Sequence, residues 1–81
     1  MNIKIIGSNC SNGIKLKKNL LKALNESVID ANVELKDDSI SQKKYNISNI
    51  PALIINGKTC SQGKVLAPRE ITKFIKSFAA N

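Results

Sequence analysis

Cys10 has the clearest capacity for chemistry in this chain of 81 residues, which holds two cysteines and no histidine. It lies in the polar segment Ser8-Asn9-Cys10-Ser11-Asn12-Gly13, between an isoleucine-rich run that ends at Gly7 and a stretch of helical spacing. A thiol at the start of a helix faces unsatisfied backbone N–H groups and the positive end of the helix dipole, and both favour the thiolate. Because its neighbours are polar, we expect Cys10 to be partly accessible and nucleophilic rather than an inert core cysteine.

Pro51 is the second residue whose position could serve a site. It stands at the entrance of the apolar run Ala52-Leu53-Ile54-Ile55, after Asn49-Ile50. A proline at a strand entrance is tolerated as a cis bond or as a rigid turn, and an ordinary trans proline is the common case. The local sequence alone leaves both alternatives open.

Composition argues against metal, nucleic-acid and membrane functions. Two cysteines without histidine give too few soft ligands for a four-coordinate zinc site in a monomer. The net charge is +7, but twelve of the thirteen basic residues are Lys and they are spread along the chain, which indicates a solvated surface rather than a nucleic-acid footprint. No segment resembles a signal peptide or a membrane span, so we expect a cytoplasmic protein. Because 42% of the residues are apolar, a single small core can form, and we expect a monomer.

The apolar pattern predicts the elements that position these residues. An opening strand covers Ile3 to Ile6, an amphipathic helix Asn12 to Asn25, and a half-buried strand Val28 to Leu35. A short helix over Ile40 to Tyr45, capped by Asp38 or Ser39, is followed by a central strand, Ala52 to Ile55. A last helix begins at Pro68, with Ile71, Phe74, Ile75 and Phe78 on its core-facing side.

Asn56-Gly57 predicts a two-residue hairpin turn, because both turn positions of a type I′ turn need positive φ. Lys58 to Ser61 should then pair antiparallel with the central strand, with Leu53 opposite Cys60. If Cys10 lies against Pro51, that register separates Cys60 from Cys10 by more than a disulfide tolerates unless the backbone moves. We therefore expect Cys60 to be a small strand residue without a redox role.

The element order predicts an α/β fold, βαβαββα, with a mixed four-stranded sheet and helices on both faces. Residues 1–81 should form a single domain, because the length leaves no room for a second module.

Three segments together resemble a known family. They are Ile3-Lys4-Ile5-Ile6-Gly7-Ser8-Asn9-Cys10, then Ile50 through Lys58, then Gly63-Lys64-Val65 leading into Glu70-Ile71. They are similar to the small thioredoxin-like redox-active disulfide proteins of bacteria and archaea. The resemblance implies a thioredoxin-like fold, Cys10 as the attacking cysteine, and Pro51 as a cis-proline beside the active site. By the same resemblance, the backbone of Ile50 would pair with an extended substrate segment.

The sequence departs from that family at Gly13, where the second, resolving cysteine would stand. The chain cannot resolve a mixed disulfide internally in the usual way. On the resemblance, Gly13→Cys should restore a disulfide with Cys10 and dithiol reductase activity.

Three functions follow from these residues. The first is a monothiol thioredoxin-like or glutaredoxin-like protein, in which Cys10 attacks a protein or low-molecular-weight disulfide and an external thiol such as glutathione resolves the product, with no bound cofactor. The second is a redox-inactive binding or adaptor module that keeps the groove beside Pro51. The third is ligation of a metal or iron–sulfur cluster by Cys10 of two chains. Whether the chain is an enzyme is left open by Gly13.

Overall fold

The computed structural model describes residues 1–79 of the chain. The opening strand β1 spans Asn2–Ile6, and strand β2 spans Asn32–Lys36. Strands β3, Ala52–Ile55, and β4, Lys58–Gln62, form the hairpin. The helices are α1, Ser11–Ser27, α2, Ser39–Lys44, and α3, Pro68–Ala79. The predicted order βαβαββα is therefore correct.

The four strands form one mixed sheet in the order β2-β1-β3-β4. Strand β1 pairs in parallel with β2 and antiparallel with β3, and β3 pairs antiparallel with β4. All four residues of β3 are buried, as a continuous apolar run in an inner strand requires. This topology confirms the α/β prediction, and it brings the end of β1 beside the start of β3.

The sheet has an apolar layer on each face. On one face, Ile3, Ile5, Leu53 and Ile55 pack with the buried side chains of α1 and α3. These helix residues are Leu16, Leu20, Ala23 and Leu24 on α1, and Ile71 and Ile75 on α3. On the other face, Ile6, Ala52 and Ile54 are covered by Tyr45, at the end of α2, and by Ile47.

Strand β2 begins four residues later than the predicted Val28. Helix α1 continues to Ser27, and Val28 closes it in the left-handed conformation with φ 52°. The N–H groups of Val28 and Ile29 donate to carbonyl oxygens in the last turn of the helix. Leu35, at the end of the predicted strand, keeps 41% of its surface exposed in the edge strand β2.

The hairpin turn has the predicted positive φ at both Asn56 and Gly57, but its register differs from the prediction. Ile55 faces Lys58 and Ile54 faces Thr59, as expected, whereas Leu53 faces Ser61. The pairing shifts between Leu53 and Ile54, so Cys60 is the extra residue of a β-bulge on the edge strand. Within residues 1–79, no helix is both long enough and apolar enough to cross a membrane.

Candidate active site

Cys10 is the N-cap residue of α1, with the extended backbone that a cap requires (φ −79°, ψ 163°). Its Sγ accepts a hydrogen bond from the backbone N–H of Gly13 at 3.2 Å, and its thiol donates to the carbonyl oxygen of Gly7 at 3.1 Å. The side chain is half-buried and carries a free thiol. The Gly13 N–H can donate to the sulfur in either form, whereas the Gly7 carbonyl can accept only from a thiol that carries its hydrogen.

The loop that carries Cys10 is held by Asp37, a residue that the sequence analysis missed. Ser8 Oγ donates to the two carboxylate oxygens of Asp37 at 3.1 and 3.2 Å, and the backbone N–H of Asn9 donates to Oδ1 at 2.7 Å. The Gly7 N–H also donates to the carbonyl oxygen of Lys36 at 2.7 Å. The residues at the end of β2 therefore hold the backbone of the loop that carries Cys10.

A signal for Asp37 was present in the sequence. Asp37 directly follows the second strand, just as Ser8 and Asn9 follow the first. In a strand–helix–strand unit the two strands run parallel, so their carboxyl ends lie side by side. Polar residues at those two ends are expected to meet.

Gly13 is buried, and the backbone of the β1–α1 loop approaches it closely. A Cβ placed on Gly13 would lie 2.2 Å from the carbonyl oxygen of Gly7 and 2.8 Å from Cα of Ser8. Both neighbours are backbone atoms, which cannot move aside as a flexible side chain can. A cysteine at position 13 would therefore require the loop backbone to shift, and the Gly13→Cys disulfide stays a prediction.

Ile50 and Pro51 lie against the same loop. The Ile50–Pro51 peptide bond is cis. A Cβ on Gly7, which has φ +79°, would lie 2.6 Å from Cβ of Ile50, so glycine allows the two segments to touch. Pro51 is fully buried, whereas Ile50 keeps 42% of its surface exposed. Of these two predicted residues, Ile50 is the one that a partner can reach.

Cys60 lies away from this site. Cys60 belongs to β4, whereas Cys10 follows β1, and β3 lies between these two strands, so the strands are two spacings of ~4.8 Å apart. Its side chain packs against the core with Phe74 and Phe78, and burial raises the pKa of its thiol. Cys60 is also a free thiol. Its position and its suppressed ionisation both oppose a role in resolving a disulfide at Cys10.

The two cysteines thus lie in two different places. The structure brings Ile50 to the loop of Cys10 and keeps Cys60 on a different strand and near a different helix. Lys15 and Lys18, which follow Cys10 on α1, are exposed. Among the side chains of residues 1–79, no group of three or more Cys, Asp or Glu is arranged to hold a metal ion.

Comparison with known proteins agrees with this arrangement. The sequence matches the thioredoxin domain family over residues 1–76. It is also 31% identical over 75 residues to a protein described as a thioredoxin from Methanothermobacter thermautotrophicus, and the alignment covers 93% of this chain and 97% of that protein. Proteins of this kind act on protein or thiol substrates by thiol–disulfide redox chemistry. With its βαβαββα order and a cysteine capping the first helix, the chain belongs to the thioredoxin domain family.

Proposed function

We propose that this chain carries out thiol–disulfide exchange by a monothiol route, with Cys10 as its nucleophile. The observation that carries the proposal is the hydrogen bond from the Gly13 N–H to Cys10 Sγ at the N-cap of α1. That N–H and the helix dipole stabilise the negative charge on sulfur that attack requires. Family membership supports the redox chemistry, and the crowded Gly13 supports the monothiol form.

The exchange takes place in two balanced steps. The Cys10 thiolate attacks one sulfur of a disulfide, the S–S bond breaks, and the leaving thiolate takes a proton from solvent. Cys10 is then held in a mixed disulfide. An external thiolate of the glutathione class attacks that bond, becomes part of a new disulfide, and releases the Cys10 thiolate. With a glutathione mixed disulfide as substrate, the new disulfide is oxidised glutathione and the substrate thiol is fully reduced. Any other disulfide needs a second external thiol, which attacks the new disulfide and releases the remaining substrate thiol.

Ile50 is the proposed contact for the substrate. Ile50 precedes β3, is partly exposed, and contacts Gly7. The carbonyl oxygen of Gly7 accepts a hydrogen bond from the Cys10 thiol. An extended substrate segment that pairs with the backbone of Ile50 would bring its disulfide toward Cys10. A low-molecular-weight disulfide would need only the thiol.

The test is turnover of a glutathione mixed disulfide of a small thiol, with reduced glutathione as the reductant and formation of oxidised glutathione as the readout. The proposal predicts a rate that rises with glutathione concentration, is abolished in Cys10→Ser, and is retained in Cys60→Ser. Both variants replace a half-buried cysteine with a side chain of similar size, so they control for each other. Equal activity in wild type and Cys10→Ser would refute the proposal.

A redox-inactive binding module is the second candidate. The observation in its favour is the hydrogen bond from the Cys10 thiol to the Gly7 carbonyl, which is lost when the thiol ionises. If that bond prevails over the Gly13 N–H, Cys10 at neutral pH will alkylate no faster than a cysteine of the denatured chain. The exposed Ile50 would then serve a bound peptide without any exchange of disulfides.

A further inference from the structure

The positive charge of the chain is concentrated on one face of the sheet. Helices α1 and α3, which pack on the same face, together carry seven Lys or Arg residues and two Glu residues, a net +5 out of the +7 of the whole chain. The carboxylate of Glu70 is turned to the start of its own helix, where Oε1 accepts the N–H of Ala67 at 3.1 Å. Most of the basic charge therefore has no acidic counterpart on these helices.

A groove of about 550 Å³ lies between the two helices. Helix α1 contributes Lys22 and Glu26 to its lining, and α3 contributes Arg69, Thr72, Lys73 and Lys76. All four basic side chains are exposed. Between side chains of residues 1–79, the ion pair shorter than 4.0 Å is Lys4 with Glu34, on the other face of the sheet. Within residues 1–79, none of the four cations of the groove forms an ion pair, and all four side chains are exposed.

We propose that this groove, formed by Lys22, Glu26, Arg69, Thr72, Lys73 and Lys76, is a docking site for an acidic segment of a partner protein. Four neighbouring cations attract a run of carboxylates more strongly than isolated surface charges do, because their fields add within the screening length of about 10 Å at 0.1 M salt. The concave shape lets one extended segment reach several of them together.

The groove chemistry favours an acidic peptide over a nucleic acid. The lining has no aromatic side chain on which a base could stack, and only one of its four cations is an arginine. Glu26 stands among the cations and would repel a uniformly charged phosphate backbone. A protein segment can place a neutral or basic residue opposite Glu26, which a nucleic acid strand cannot do.

This site is separate from the thiol chemistry. Lys22 is twelve residues beyond Cys10 on the same helix, which corresponds to about 18 Å along its axis. The proposal therefore stands or fails independently of the redox function. A variant of Lys22 or Lys73 leaves both hydrogen bonds of Cys10 in place.

The test is a titration of the ¹⁵N-labelled full chain in 0.1 M salt with a capped heptapeptide of six glutamates around one central glutamine, followed by amide chemical shifts. We expect the shifts to concentrate on the α1 and α3 residues of the groove. Lys22→Glu together with Lys73→Glu should weaken binding about tenfold, because two attractions become repulsions. If this pair impairs folding, Lys22→Gln with Lys73→Gln should give a smaller loss in the same direction.

The matched control is Lys43→Glu with Lys44→Glu, which changes the net charge equally but lies on α2. It should leave peptide binding within about twofold, because screening weakens remote charges. An equal loss of peptide binding in this control would overturn the proposal, because net charge alone would then explain the binding. Amide shifts spread over the whole surface would overturn it for the same reason. Lack of binding would overturn it as well. Tighter binding of a single-stranded heptathymidylate, which carries six phosphates, in the same groove would replace the acidic peptide with a nucleic acid.

Discussion

Gly13 and Asp37 shape the site of Cys10 at the scale of single residues, although neither has chemistry of its own in the proposed reaction. Gly13 lets the β1–α1 loop fold back on the first turn of α1, and Asp37 holds that loop from the end of β2. The place of Cys10 before the first helix could be predicted from the sequence. The close approach at Gly13 could not be predicted, because it depends on where a backbone oxygen lies in three dimensions.

Gly13→Ala measures that close approach. Glycine inside a helix normally costs about 1 kcal/mol relative to alanine, so a free position would be stabilised by this change. Here the added Cβ meets the Gly7 carbonyl oxygen, and we expect the free energy of unfolding to fall by about 1–3 kcal/mol. Urea denaturation checks this, with Asn12→Ala, at the exposed neighbouring helical position, as the control that should not destabilise. A Gly13→Ala chain as stable as wild type would show that the loop moves aside freely.

Tyr45 offers a second test at the residue scale, because it is the single tyrosine in a chain without tryptophan. Lys4 Nζ donates to its hydroxyl oxygen at 2.8 Å, and this bond lowers the pKa of Tyr45 while it raises the pKa of Lys4. The phenolate absorbance should therefore appear at lower pH in the folded chain than in denaturant. Lys4→Met should move the midpoint upward, and Lys43→Gln should leave it unchanged. A folded-state midpoint at or above that of the denatured chain would contradict the Lys4 contact.

At the scale of elements, the boundaries follow from caps as much as from hydrophobic pattern. Asp38 caps α2 by accepting the N–H of Ser41 at 2.9 Å, as the sequence suggested, and that contact lowers the pKa of its carboxyl. The end of α1 is different, because a valine takes the left-handed position at which glycine is usual. Sequence preference therefore pointed to a strand from Val28, whereas the helix continues to Ser27.

Val28→Gly should stabilise the protein. Val28 has φ 52° and is 90% exposed, so its side chain contributes backbone strain and little buried surface. Removing that strain should raise the free energy of unfolding by about 1 kcal/mol, after the extra flexibility of glycine in the unfolded chain is allowed for. Val65→Gly is the control, since Val65 is also partly exposed but has no positive φ, and it should bring no gain. Equal effects of the two substitutions in thermal denaturation would refute strain at Val28.

The hairpin shows which part of an element its sequence encodes. Asn56-Gly57 predicted the turn and the first two residue pairs, because positive φ at both positions is a local property. The bulge at Cys60 could not be predicted, because it depends on how β4 pairs with β3 and not on the turn residues alone. Its effect is to change which residue of β4 faces Leu53 from Cys60 to Ser61.

At the scale of the whole molecule, the sheet separates the two thiols. The parallel β1–β2 pair and the antiparallel β1–β3 pair bring Asp37, Cys10 and Ile50 together at one end of these strands. The hairpin places Cys60 on the edge strand β4. The alternation and spacing of apolar residues predicted this order of elements. From this separation we propose that Cys10 reacts alone and that Cys60 does not resolve its product.

Mass spectrometry tests this proposal most directly. The chain is treated with an excess of oxidised glutathione, with no reduced thiol added, and the reaction is quenched by acid. We expect one glutathione per chain, attached to Cys10, and it should persist until an external thiol is added. Cys60 should stay unmodified, and the Cys60→Ser chain should give the same product. Burial raises the pKa of Cys60, so its thiol should react slowly with oxidised glutathione. Loss of the glutathione in wild type with formation of a Cys10–Cys60 disulfide, or attachment to Cys60 in preference to Cys10, would contradict the account.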